Sequence, residues 1–118
     1  MKVTVRYTKN NEVGRNLRLK GSFEEGLPTA DEIKEGTAVV FEGELDFGHE
    51  PRPDDIFATF NDEGYLLPNP LATPEGQAKV RETDTHTSMS PGDIVEIGDT
   101  AYVCQGCGWG TMKVEEVR

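Results

Sequence analysis

Two cysteines three residues apart, in Cys104-Gln105-Gly106-Cys107-Gly108, are the first residues whose type and spacing suggest chemistry. A C-x-x-C-G string brings two thiolates to one side of a tight turn whose amides can hydrogen-bond the sulfurs, as in a zinc knuckle. Here it is half a site. A closed zinc centre takes four ligands and no second C-x-x-C follows, so His49, His86, a carboxylate or the same turn of a second subunit has to complete it. The alternatives are a redox pair, or two ordinary thiols in and beside a terminal strand with Cys104 packed inward. Acidic surroundings and the absence of a basic neighbour speak against an activated thiolate. Zinc at Cys104 and Cys107 is the one cofactor the sequence brings into question; otherwise it implies none.

Nucleophilic catalysis needs a Cys or Ser beside a positioned His, and nothing in the spacing places His49 or His86 near Cys104, Cys107, Ser88 or Ser90. The histidines read as solvated loop residues. Carboxylate pairs such as Asp54-Asp55 and Asp62-Glu63 are expected wherever acids are abundant, and read as surface charge. There is no G-x-G-x-x-G, phosphate-binding loop or H-E-x-x-H. The expectation is a protein that is not an enzyme.

The most organised string is Thr87-Ser88-Met89-Ser90-Pro91-Gly92-Asp93-Ile94-Val95-Glu96-Ile97. It reads as a polar turn entering a strand, with Gly92 allowing the bend and the Ser88, Ser90 and Asp93 side chains bonding nearby backbone. Those three, with Trp109, are candidates for binding.

The elements that must position these residues follow from periodicity. Residues 2–8 alternate around Val3, Val5 and Tyr7, residues 9–14 read as a turn, and residues 16–20 alternate again around Leu17 and Leu19, which predicts a β-hairpin over 1–20. Residues 31–34 can make one helical turn before Gly36, and residues 37–45 supply a strand. Prolines 51 and 53, first-turn acids and Ile56, Phe57 and Phe60 predict a short helix ending at Asn61 or Gly64. Residues 62–85, with Pro68, Pro70 and Pro74, form an irregular connection relieved by a weak helix over 74–81, and look the most mobile. Strands over 93–97, 100–104 and 111–117 close the chain. Strands with one or two short helices and no βαβ alternation predict a small α+β fold, mainly an antiparallel sheet, in a single domain of 118 residues.

Charge then bounds the partners. A net charge of -10 repels nucleic acid from the surface as a whole, and the acids are dispersed in singles and pairs, as a salt-adapted surface places them. The other reading is a patch that imitates the phosphates of DNA. Residues 1–20 run the other way, with Lys2, Arg6, Lys9, Arg15, Arg18 and Lys20 against Glu12 alone. A basic hairpin of that kind either docks on its own acidic body or meets an anionic partner, nucleic acid included, through Arg6, Arg15 and Arg18. No run approaches the ~20 apolar residues of a membrane span and no secretory leader opens the chain, so the expectation is a cytoplasmic protein or virion component with no membrane partner. A reducing compartment agrees with two cysteines too close to staple a fold.

Taken in order, Glu42-Gly43-Glu44-Leu45, Asp54-Asp55-Ile56-Phe57-Ala58-Thr59-Phe60-Asn61, His86-Thr87-Ser88-Met89-Ser90-Pro91-Gly92-Asp93-Ile94-Val95, Ala101-Tyr102-Val103-Cys104 and Gly108-Trp109 resemble the YodL-like domain over residues 38–117. In that family a strand leads to a helix ending Phe-Asn, then a Ser-x-Ser-x-x-Asp-Val segment, a hairpin and a terminal Gly-aromatic. The chain departs from it in Cys107 and in the proline-rich stretch between Asn61 and His86. The resemblance implies an accessory protein of a phage or plasmid, with no enzymatic activity attached. Together with the acidity it implies an interaction module of a halophilic virus or plasmid that binds another protein as a monomer or small homo-oligomer. An antirestriction or nucleic-acid-directed protein and a zinc-knuckle-stabilised structural protein are the alternatives.

Overall fold

A computed structural model describes residues 2–64, 66–86 and 88–117. Thr87, the first residue of the polar string, lies outside the described residues. Five strands form one antiparallel sheet: β1 (Lys2–Thr8), β2 (Thr37–Glu44), β3 (Ile94–Ile97), β4 (Thr100–Cys104) and β5 (Trp109–Lys113), in the order β2-β1-β3-β4-β5. Four helices accompany it: α1 (Glu12–Ser22), α2 (Ala30–Gly36), α3 (Pro53–Phe60) and α4 (Pro74–Thr83). The fold is the expected small α+β class, with more helix than the sequence suggested.

The expected hairpin over 1–20 is corrected. β1 forms, but its neighbours are β2 and β3, and the segment after it is the helix α1. Asn11 caps that helix, its Oδ1 accepting from the Gly14 N–H at 2.7 Å, with Glu12 in the first turn and Lys20 in the last. Gly14, Leu17 and Gly21 recur at helical spacing and are the buried positions. The Leu17/Leu19 alternation was a coincidence of two residues, since Leu17 is buried and Leu19 is 56% exposed. Gly36 shows why the helix can sit so close: a Cβ there would lie 2.8 Å from a Val13 methyl carbon.

The other elements follow local signals. Thr29 and Glu32 form a reciprocal capping box that starts α2, and Pro53 with Asp54 and Asp55 starts α3, which ends at Asn61. Thr73 caps α4, Pro74 occupies its first turn, and Asp84 closes it in the left-handed region at φ 54°. The last strand begins earlier than expected, at Trp109, and gives way to a 3₁₀ turn over Val114–Val117.

The sheet is covered on both faces. Val3, Val5 and Tyr7 of β1 and Val95 and Ile97 of β3 pack with Phe47, Ile56, Phe60, Leu71, Val80 and Met89 in the larger core, which α3 and α4 enclose. Ile94, Ala101 and Val103 face the other way onto Ile33 of α2 and Val117. This is why both faces of β1 are buried, Thr4 and Thr8 included. Arg6 on the second face meets Glu96 of β3 at 2.7 Å, a pair almost wholly withdrawn from solvent. Between Val5 and Arg6 the β1/β2 register shifts, leaving Val40 as the extra residue of a bulge.

Candidate functional site

Asp93 precedes β3 and is fully buried. Its Oδ1 accepts from the Thr8 N–H at the end of β1 at 2.8 Å, and its Oδ2 accepts from the Ser90 N–H at 2.7 Å. His86 Nε2 lies 3.2 Å from Oδ1, and the imidazole stacks on the Tyr7 ring with centroids 4.6 Å apart and planes 7° from parallel. The Tyr7 hydroxyl is buried without a hydrogen-bond partner among the described residues, and burial, with the charges of Asp93 and Asp62, pushes its proton affinity far up. Asn61, at the end of α3, joins the cluster from the far side: its amide accepts from the Met89 N–H at 2.7 Å and donates to the Met89 carbonyl at 3.2 Å. The segments ending Phe60-Asn61 and spanning Ser88 to Asp93 are thus stitched together, although 28 residues separate the bonded pair.

Sequence reasoning gave Asp93 its backbone-bonding role and missed its partners. His86, expected as a solvated loop residue, is half-buried and is corrected to a member of this cluster; His49 is exposed, 2.9 Å from Asp55. No one-dimensional signal pairs His86 or Tyr7 with Asp93, since Tyr7 arrives from a strand more than eighty residues away. Ser88 is exposed, and the Ser90 hydroxyl donates to the Ser88 carbonyl at 3.3 Å, a turn bond of the expected kind.

The geometry does not build a catalytic relay. In such a relay the acid and the nucleophile engage opposite nitrogens of the imidazole. Here the Thr8 hydroxyl, at 3.4 Å, and Asp93 both face Nε2, and a further bond ties the ring to the Ser88 backbone. His86 is an anchor for the turn.

That anchor titrates. Burial opposes charge on His86, but the hydrogen bond and charge of Asp93 reverse the effect, and its pKa is raised above the ordinary 6.5 despite Arg18 nearby. Burial likewise raises Asp93 against the pull of His86, Thr8 and Ser90. Both shifts have one sign: the folded pair holds protons more tightly than the unfolded chain. The stability that His86 contributes is therefore fully present below pH 6.5 and lost as pH rises through its raised folded value. Unfolding free energy measured by urea titration should fall along that limb, and His86→Gln should flatten it. An equal alkaline slope in the variant would show that the pair does not carry the effect.

The remaining candidates are scattered. Trp109 donates from Nε1 to Asp54 Oδ1 at 2.8 Å and meets Phe57 edge-on, tying β5 to α3. Cys104 is buried, as the inward-packed reading has it, and burial with the charge of Asp93 pushes its thiol up to about 12, so it rests protonated. Cys107 is exposed. Among the described residues no group of three or more His, Cys, Asp and Glu side chains is placed to hold a metal ion, and both histidines are turned to aspartates elsewhere. The knuckle has no third ligand from this chain among those residues.

Three of the six basic residues of the N-terminal segment pair with acids of the same chain. Lys2 meets Glu42 at 3.4 Å, Arg6 meets Glu96, and Lys20 meets Glu32 at 3.3 Å. Arg15 is exposed on α1 and Arg18 half-buried. Arg6 is thus tied into the sheet, whereas Arg15 and Arg18 stand three residues apart on α1 and not on a hairpin.

What the sequence did not single out is apolar. Leu19 and Phe23 stand one helical turn apart at the end of α1 and are 56% and 70% exposed, with Leu27 40% exposed just beyond. Arg15 continues the same stripe one turn earlier. The Cys104 to Trp109 bend is pinned to this end of the helix: Gly106 N–H donates to the Gly21 carbonyl at 3.0 Å, and Cys107 N–H to Glu24 Oε1 at 2.9 Å.

No helix among the described residues is long and apolar enough to cross a membrane. Compared with protein-family models, curated proteins and solved structures, the chain matches none.

Proposed function

We propose that this chain is a non-enzymatic accessory module that binds another protein, in the salt-adapted setting of a halophilic virus or plasmid. The observation that carries the reading is the exposed stripe of Arg15 and Leu19 on α1 and Phe23 at its C-terminal cap, with Leu27 beside it. A large aromatic 70% exposed, one turn from an exposed leucine, is a contact surface in search of a groove. Its hydrogen bonds to the Cys104 to Trp109 bend hold it in place before any partner arrives, which lowers the entropy lost on binding.

The halophilic part of the reading is supported by where the acids sit. Among the described residues only Asp93 and Glu96 are buried, and the others lie at the surface in contact with solvent. The mobile-element part rests on the ordered resemblance to the YodL-like domain. The tethering of Lys2, Arg6 and Lys20 to acids of the same chain weighs against a nucleic-acid surface on the N-terminal segment.

Leu19→Asp with Phe23→Asp alters two exposed side chains and should leave the fold intact. Immobilised wild-type chain should capture a defined protein from lysate of a salt-adapted host, and the double variant should retain at most about a tenth of it. Equal capture by both proteins would remove α1 as the contact, and a shift of DNA by the wild type in low salt would favour the nucleic-acid alternative.

A further inference from the structure

The exposed face of α1 is bounded on both sides. α2 packs along one flank, where a Cβ on Gly36 would meet Val13 and Leu17 and where Lys20 reaches Glu32 at 3.3 Å. The turn at Gly92 and the bend at Gly106 close the other flank, against the backbone of Arg18, Gly21 and Ser22. What still faces solvent is Glu12, Arg15, Asn16, Leu19 and Ser22, with Phe23 at the cap. Leu19 stands at the middle of this face, Arg15 four residues before it and Phe23 four residues after it. Arg15 has no ionic partner among the described residues, in a chain of net charge -10.

That spacing is self-complementary. When two copies of a helix lie antiparallel about a two-fold axis, residues equally far before and after the axis face one another. With the axis at Leu19, the two Leu19 side chains meet, and each Arg15 guanidinium lies over the Phe23 ring of the other copy. The pair thus makes two identical cation–π contacts around an apolar centre. Asn16 and Ser22, three residues to either side, face each other as a polar pair able to hydrogen-bond. The two helix dipoles run in opposite directions, which favours the arrangement. Any other occupant has to present a cation, an apolar residue and an aromatic at this spacing in reverse order, and a second copy already does.

Charge sets the condition. Glu12 and Glu25 are exposed at the rim, and two chains of -10 repel each other as wholes. The Debye length falls from about 10 Å at 0.1 M salt to about 3 Å at 1 M, so concentrated salt removes most of that repulsion while the apolar contact persists.

We infer that a second copy of this chain occupies the α1 stripe, in an antiparallel helix pair with Leu19 on the two-fold axis, assembled where salt screens the net charge. The inference rests on the reading of α1 as the contact surface, and it makes the second copy the occupant that any other protein must displace.

Sedimentation equilibrium of the full chain tests it. In about 1 M KCl a dimer should form with a dissociation constant tighter than about 1 mM, and it should weaken at least about tenfold in about 0.1 M KCl. Phe23→Arg sets arginine against arginine and should weaken the dimer about tenfold or more, while adding Arg15→Phe exchanges the two roles and should restore it to within about threefold. In a Cys107→Ser background, Leu19→Cys should be oxidised to a disulfide-linked dimer. Arg15→Cys should not, because the two copies of residue 15 lie about 12 Å apart along the axis at 1.5 Å per residue, beyond disulfide reach. No dimer at about 1 mM chain in either salt, no restoration by Arg15→Phe, or equal cross-linking at positions 15 and 19 would each overturn the inference. A monomeric wild type that still captures a lysate protein, with capture lost in Leu19→Asp, Phe23→Asp, would overturn self-association and leave α1 standing as the contact surface. Loss of both would remove the surface itself.

Discussion

Asp93→Ala is expected to destabilise the protein by about 3–5 kcal/mol, the range for removing one member of a buried charged network. The carboxylate receives the Thr8 N–H, the Ser90 N–H and His86, so truncation leaves one buried and one half-buried backbone donor and an imidazole without their acceptor. Thr8 ends β1 and Ser90 belongs to the turn, so the loss detaches the Ser88 to Asp93 turn from the sheet as well as from His86. Asp93→Asn keeps one carbonyl oxygen, which can hold one of the two N–H groups, and should lose less, roughly 1–3 kcal/mol. His86→Gln should be milder still, and the Asp93→Ala, His86→Gln double variant less destabilised than the sum, because the two residues share one bond. Urea denaturation of the four proteins at pH 6 reads all of this. A loss under about 1 kcal/mol for Asp93→Ala would mean that water replaces the carboxylate at little cost and that the cluster does not organise the turn.

How far the sequence led depended on whether the deciding contact was local. The caps of α2, α3 and α4 lie within three residues of the groups they satisfy, and Pro53 and Pro74 marked where α3 and α4 begin. The β3/β4 hairpin was equally legible because Gly98 and Asp99 sit between two β-rich runs. Residues 12–22 were misread because Leu17 and Leu19 alternate while the helical pattern rests on glycines, which carry no hydropathy signal: Gly14 and Gly21 are as buried as Leu17. At the site, Asp93 and Ser90 were legible as turn residues three apart, whereas Tyr7 and His86 meet them only through the sheet order, which places β1 beside β3 across the whole chain. The α1 stripe was hidden for the same reason as α1 itself, since an exposed Phe23 is visible only once the helix fixes which residues face inward.

Gly92→Ala tests that misread helix directly, with an expected loss of about 2–5 kcal/mol from two additive sources. Gly92 sits at φ 95°, a conformation that a Cβ resists by roughly 1–2 kcal/mol. A methyl group there would also lie 2.9 Å from the backbone carbon and oxygen of Leu17 in α1, and backbone cannot turn aside as a side chain can, which adds about 1–3 kcal/mol of overpacking. From the other side, a Cβ on Gly21 would come within 2.6 Å of the Gly92 nitrogen, so helix and turn touch backbone to backbone at this point. Gly48→Ala supplies the control, because Gly48 is at φ 78° with open space where its Cβ would stand. That variant should show the conformational part alone, and the difference between the two measures how tightly α1 seats on the turn. Equal losses would mean that α1 yields to the methyl group without strain. In that case Leu19 and Phe23 would not be held as a preformed surface, and the binding advantage of rigidity assigned to the α1 stripe would disappear with it.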